Sequence, residues 1–227
     1  MTEHAEYEID RFSTAQGELA IEFLGHGSLL FLYGGRTIYV DPYSRVADYA
    51  KLPKADVVLI THEHRDHLDL EALDLIRTPN TQILLTEICD EQIAGGIVMR
   101  NGDIHFVAGL TVEAVPAYNL VHTRDDGQPF HPCGNGNGYI ITFGDLRVYV
   151  AGDSENTPEM MNLRDIDVAF LPMNLPYTMT PRMVADAARA MRPRVLYPYH
   201  FGETDTDDLI GLLRDEADID VRIRQMA

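Results

Sequence analysis

Twice along this chain a group of short strand-like runs is followed by strand–helix units, and that order restricts the fold more than any other feature. The first group is Leu19–Leu24, Ser28–Tyr33 and Arg36–Val40, separated by Gly25-His26-Gly27 and Gly34-Gly35. Paired glycines tolerate positive φ, so the second break suits a hairpin. Asp41-Pro42 ends the third run, because proline cannot continue a sheet ladder. A strand over Asp56–Ile60 follows, then a helix from about Asp69 to Arg77, a strand over Gln82–Leu85 and a short helix around Glu87–Ala94. The second group is Ile104–Val107, Leu110–Val115, Tyr139–Phe143 and Leu146–Val150. Strands over Asp167–Leu171, Arg194–Pro198 and Ile219–Ile223 then alternate with helices from Thr180-Pro181 to about Met191 and over Thr206–Glu216. Residues 1–17 read as a polar lead-in. No linker divides the chain, so one domain over residues 1–227 is expected. Two sheets packed face to face with helices outside would bury every apolar face, giving two pseudo-equivalent halves with a site at their junction.

Bulk properties narrow the function classes. The 36 acidic and 18 basic residues give a formal net charge of −18. Such a surface repels nucleic acid and anionic membrane. The two cysteines, Cys89 and Cys133, provide no disulfide framework and fit a reducing compartment. No apolar run is long enough to span a bilayer, and the acidic start lacks the pattern of a signal peptide. A cytoplasmic protein with no membrane partner is expected; a homo-oligomer is compatible with these data.

The chemistry concentrates in Thr61-His62-Glu63-His64-Arg65-Asp66-His67-Leu68. This stretch leaves a buried strand and enters a helix, and exposed loops held by a rigid base are where sheet proteins place reactive groups. Imidazole and carboxylate are the usual ligands of zinc and similar divalent ions. The zincin pattern does not apply, because it needs a second histidine four residues after His62, and position 66 is aspartate. A solvated polar loop would account for one histidine but poorly for four potential ligands in six residues.

Three further strand ends carry ligand types: Asp41, Asp153 and His200. Alone, a strand-end aspartate is usually a turn former and a lone histidine usually structural. With the histidine cluster they complete a two-metal set, in which Asp153 would bridge and His200 would finish the second site. Residues 116–137 read as a long loop, and loops of that length in compact domains are functional or disordered. It carries His122 and His131.

The order Asp41-Pro42, Thr61-His62-x-His64-x-Asp66-His67, Gly152-Asp153 and His200 resembles the metallo-β-lactamase superfamily over nearly the whole chain. Gly25-His26-Gly27-Ser28, Pro116-Ala117-Tyr118-Asn119, Leu171-Pro172 and Pro198-Tyr199-His200-Phe201-Gly202 resemble its ascorbate-6-phosphate-lactonase-like branch. The resemblance implies an α+β fold, a four-layer αββα sandwich with a dinuclear site at one edge. It implies that His62 and His64 hold the first metal, Asp66 and His67 the second, with Asp153 bridging and His200 on the second. Asp41 would brace the histidine loop. One departure stands out. The family's further histidine ligand falls at Asn119, whose amide oxygen is a poor zinc ligand. His131, beside the tight turn of Pro132 and Gly134, is the favoured replacement, and His122 the alternative. His26 and the Tyr177-Thr178 loop are candidates to line the pocket; His4 and His105 read as ordinary polar residues.

The expected activity is metal-dependent hydrolysis of a small-molecule lactone, ester, amide or phosphoester. A hydroxide shared by two divalent ions would attack, and Asp66 would be the catalytic residue that orients it and shuttles a proton. Zinc is the expected ion, with manganese and iron compatible. The alternatives are a phosphodiesterase or nuclease using the same site, disfavoured by the charge, and a metal-binding scaffold with weak turnover, kept open by Asn119. No nucleophile elbow occurs, and Gly134-x-Gly136-x-Gly138 precedes a strand rather than opening a helix, so it is no dinucleotide fingerprint.

Overall fold

Four antiparallel strands followed by three parallel ones build each of two seven-stranded sheets in this computed structural model. The structure describes residues 7–93 and 95–227, so His4, the acidic start and Ala94 lie outside it. In the first sheet β1 (Glu8–Thr14), β2 (Gly17–Gly25), β3 (Ser28–Tyr33) and β4 (Arg36–Val40) form the meander. Then β5 (Val57–Leu59), β6 (Gln82–Leu85) and β7 (Ile97–Val98) add in parallel. The second sheet repeats the plan. Here β8 (Ile104–Val107), β9 (Leu110–Ala117), β10 (Gly136–Phe143) and β11 (Leu146–Val150) are antiparallel, and β12 (Val168–Pro172), β13 (Val195–Tyr199) and β14 (Asp220–Val221) parallel.

One core lies between the sheets. Phe31 of the first meets Phe143 of the second at 5.5 Å between ring centroids, and Phe23 meets Phe170 at 6.1 Å. Full burial of side chains of this size stabilises by about 1.5–3 kcal/mol each. Helices cover the outer faces. α1 (Leu70–Ile76) and α2 (Glu87–Asp90) pack on the first sheet; α3 (Pro158–Met161), α4 (Pro181–Met191) and α5 (Thr206–Leu213) pack on the second. α4 shows why: Val184, Ala185, Ala187, Ala188 and Met191 form its buried stripe, after Thr180 caps it and Pro181 opens it. The four layers are α, β, β and α, as the resemblance implied.

Several boundaries differ from expectation. Residues 8–14, read as lead-in, are the edge strand β1; it is mostly exposed, and Asp10 ties it to Arg222, Arg224 and Tyr197. The two-residue β7 and the one-turn α3 were not expected. The long loop is shorter at both ends, 118–135, because β9 runs on to Ala117 and β10 begins at Gly136. Glycine is used there for closeness, not turning: a Cβ at Gly136 would meet the Ala117 oxygen at 2.9 Å, and one at Gly138 the Ala151 oxygen at 2.7 Å. None of the helices of the described residues is long and apolar enough to cross a membrane.

The two sheets are tied together at one edge. The Tyr139 hydroxyl donates to the Ile60 oxygen (2.8 Å), the Asn137 amide to the Thr61 oxygen (2.9 Å) and the His200 amide to the His26 oxygen (3.0 Å). Every one of these bonds lies beside a predicted metal ligand.

Candidate metal centre

β5 delivers Thr61 and His62 at its carboxyl end, and the chain then turns tightly. The amides of His67 and Leu68 both donate to the His64 oxygen, at 2.9 and 2.7 Å. Asp69 stops the turn and starts α1 by accepting from the Glu71 and Ala72 amides. Asp41, at the end of the neighbouring β4, is fully buried. Its carboxylate accepts from the Thr61 amide (2.8 Å), the Thr61 hydroxyl (2.6 Å) and His67 Nδ1 (2.7 Å). The Thr61 hydroxyl also lies 2.9 Å from His62 Nδ1. Both imidazoles are thereby held by Nδ1, which leaves Nε2 facing inward.

Those inward atoms are unpartnered. His62 Nε2, His67 Nε2 and Asp153 Oδ1 are buried and make no hydrogen bond. A buried polar atom without a partner costs about 1–3 kcal/mol, and these three fall in two neighbouring donor groups that share Asp153, which suits cation binding. Donor groups within 4.8 Å of one another are His62, His64, His131 and Asp153; His67, Asp153 and His200; and His26, Asp66 and His200. His131 Nε2 stands 3.3 Å from Asp153 Oδ2 and His67 Nε2 3.5 Å from Asp153 Oδ1. His200 Nε2 stands 3.3 Å from Asp66 Oδ2 and 3.7 Å from Asp153 Oδ2. Ligands at about 2.0–2.1 Å from a tetrahedral ion stand roughly 3.3 Å apart, so these spacings are compatible with metal ligation, and Asp153 belongs to two of the donor groups. Gly27 permits the crowding, since a Cβ there would meet His67 Cε1 at 3.1 Å.

Electrostatics agree. Burial, then the neighbouring His67, pushes His62 well below the ordinary imidazole range. Burial also lowers His64. For His67 burial acts in the same direction, but the carboxylates of Asp153 and Asp41 outweigh it and raise the imidazole. Burial opposes ionisation of Asp153, yet His200 and His67 outweigh it and hold the carboxyl well below its usual range. Asp66 is likewise held low, its burial outweighed by bonds with His200 and His26. Backbone strain gathers here too: the non-glycine residues His26, Asp41 and His200 all have positive φ, at 53°, 44° and 46°.

Of the two loop histidines, His131 joins the cluster. Asn119 Oδ1 lies 2.6 Å from His131 Nδ1 and accepts from the His131 amide at 2.9 Å. Asn119 Nδ2 donates to Glu155 Oε1 (3.2 Å) and the Tyr177 oxygen (2.9 Å). The asparagine is thus fully engaged in holding the histidine. His122 points elsewhere, with Nδ1 2.5 Å from Glu155 Oε1. Glu155 is fully buried and also accepts the amides of Leu120, Val121 and His122, so it fixes the whole start of the loop. Sequence reasoning passed over Glu155, although its position two residues beyond Asp153 was a signal. It also undervalued His26, whose Nε2 is 3.0 Å from Asp66 Oδ2. Tyr177 lines the open cleft above the cluster. Thr178 is buried, with its hydroxyl bonded to Asn174. His105 lies on β8 and joins none of the donor groups.

Known proteins place this architecture. Residues 20–200 match the model of a β-lactamase superfamily domain. A metal-dependent hydrolase of Thermococcus kodakarensis is 28% identical over 221 residues, covering 88% of this chain and 94% of the relative. One from Methanopyrus kandleri is 31% identical over 196 residues, covering 81% and 84%. The crystal structure of a protein from Parabacteroides distasonis, described as a metal-dependent hydrolase, is 48% identical with a TM-score of 0.93, covering 98% of this chain and 100% of its own. A metallo hydrolase from Ignicoccus hospitalis is 25% identical with a TM-score of 0.75, covering 92% and 96%. This chain belongs to the metallo-β-lactamase superfamily, among its metal-dependent hydrolases.

Proposed function

We propose that residues 1–227 form a single hydrolase domain that cleaves a small-molecule lactone, ester, amide or phosphoester with two divalent ions. His62, His64 and His131 would hold the first ion, and Asp66, His67 and His200 the second. Asp153 would lie between them. The observation that carries this reading is that three buried, unpartnered donor atoms fall in two donor groups that share Asp153. Imidazole with carboxylate favours zinc, and manganese or iron is compatible. Bound here, the ions would supply Lewis acidity toward the scissile group and acidify a water.

The chain's own groups do the rest. Asp41 fixes the ring of His67 and Asn119 that of His131. Asp153 has a side chain 5% exposed, whereas that of Asp66 is 33% exposed toward the cleft. Asp66 is therefore the carboxylate positioned to orient a water and pass its proton to the leaving group. His26 steadies Asp66 through their 3.0 Å contact. The substrate is a small molecule, because the cleft is about 510 Å³ and the chain carries a net charge of −18. Free Cys89 and Cys133 favour a cytoplasmic setting.

Metal analysis combined with a screen of ester and lactone hydrolysis tests the proposal. Two zinc ions per chain and chelator-sensitive turnover are expected, with both lost in His64→Ala while the fold persists. Fewer than one ion per chain after zinc loading, or turnover that survives in His64→Ala, contradicts it.

A further inference from the structure

Acidic residues outnumber basic ones two to one here, so almost any arginine can find a carboxylate. Most do, for example Arg11 with Glu18, Arg36 with Asp56 and Arg147 with Glu113. Among the described residues the arginines without such a partner are Arg45, Arg65, Arg124 and Arg164. Arg164 is used on backbone oxygens of Met161, Leu163 and Ala190. The other three border the metal cluster. Arg65 and Arg124 line the cleft of about 510 Å³ that opens on His64, Asp66 and His200. Arg45 joins Arg65 and Asp66 in the adjoining depression.

Arg124 is also prearranged. Its guanidinium lies 5.1 Å from the centroid of the Phe130 ring and donates to the Phe130 oxygen at 3.2 Å. Phe130 in turn meets Tyr177 edge-on at 5.1 Å. Guanidinium, phenyl and phenol thus form one wall of the cleft, cationic at one end and apolar along its length. Arg65 comes from a different element, between the ligands His64 and Asp66. Guanidinium forks match oxyanions, and a cationic spot on an acidic molecule concentrates anions where the field is focused.

We propose that the substrate is a small organic anion whose terminal carboxylate or phosphate is gripped by Arg65 and Arg124. Its flat or apolar body lies along Phe130 and Tyr177, which places the bond to be cleaved over the metal pair. This rests on the metal-dependent hydrolase reading. Arg45 lies on the approach to Arg65 and would draw the anion in.

The test is isothermal titration of the zinc-loaded protein with phenylphosphonate, 4-carboxyphenylphosphonate and 1,4-phenylenediphosphonate. One phosphonate addresses the ions in all three, and the second group, where present, reaches toward the arginines. At least one of the ligands with two anionic groups should bind about tenfold tighter than phenylphosphonate, and the larger gain identifies carboxylate or phosphate as the recognised group. In an Arg65→Gln/Arg124→Gln variant the gain should vanish while phenylphosphonate affinity stays, which also shows the metal centre intact. Equal affinity for all three ligands in the native protein, or a gain that survives the double substitution, overturns the assignment of the arginines. No binding of any phosphonate overturns the metal-centre reading itself, and this inference with it.

Discussion

The side-chain oxygen of Asn119 lies 2.6 Å from Nδ1 of His131, twelve residues along the chain. An asparagine two residues beyond β9 thus orients a ligand-type ring that arrives from further along the same loop. Glu155, fully buried, holds the other end of the amide. A hydrogen bond that orients a ligand typically changes metal affinity by 10–100-fold. Asn119→Ala should therefore weaken zinc at the first site by about that factor and leave the second nearly unchanged. Competition with a chromophoric chelator reads both sites; equal weakening of both would show that the asparagine acts on the fold as a whole.

Asp41 is the brace of the histidine turn. Replacing it with alanine strands the buried Thr61 amide and hydroxyl and frees the ring of His67. Each orphaned group costs about 1–3 kcal/mol, so Asp41→Ala should lose about 2–4 kcal/mol in urea unfolding, measured without metal. A loss below about 1 kcal/mol would mean that the turn holds itself.

Removing the ions should soften the protein without unfolding it, since the turn is also bonded through Asp41, Thr61 and Asp69. Zinc at a thousand times its dissociation constant stabilises by about 4 kcal/mol, or roughly 8–16 °C at this chain length. Calorimetry before and after chelation, with far-ultraviolet circular dichroism, measures both quantities. Identical melting with and without zinc contradicts the expectation.

Acid should loosen the junction of the first strand with the C-terminal segment. Burial alone would raise the Asp10 carboxyl, but its bonds to Arg224, Tyr197 and Arg222 outweigh that and hold it below the ordinary range. The folded value lies below the unfolded one, about 3.9. The stabilisation is therefore complete above that value and disappears as pH falls through the folded value. Asp10→Asn should cost about 1–2 kcal/mol at pH 7 and much less at pH 2, as measured by urea unfolding at both. A cost independent of pH would exclude charge as its source.

The repeat of meander and parallel strands was legible because glycine pairs and strand-end Asp-Pro punctuate strongly apolar runs. The histidine turn was legible because ligand types crowd into six residues after a buried strand. β1 was not, since an exposed edge strand held by Asp10 carries little apolar alternation. The start of β10 looked like loop because its glycines answer to neighbouring carbonyls that only the packed sheet supplies. Likewise the contact of His26 with Asp66 joins residues 40 apart, and nothing local encodes it.

Anomalous diffraction from crystals of the zinc-loaded protein bears most directly on the central claim. Two peaks are predicted, one among the imidazoles of His62, His64 and His131 and one among Asp66, His67 and His200, with the carboxylate of Asp153 between them. An absence of peaks in that cluster, or a single ion that leaves either set of side chains unengaged, would contradict it.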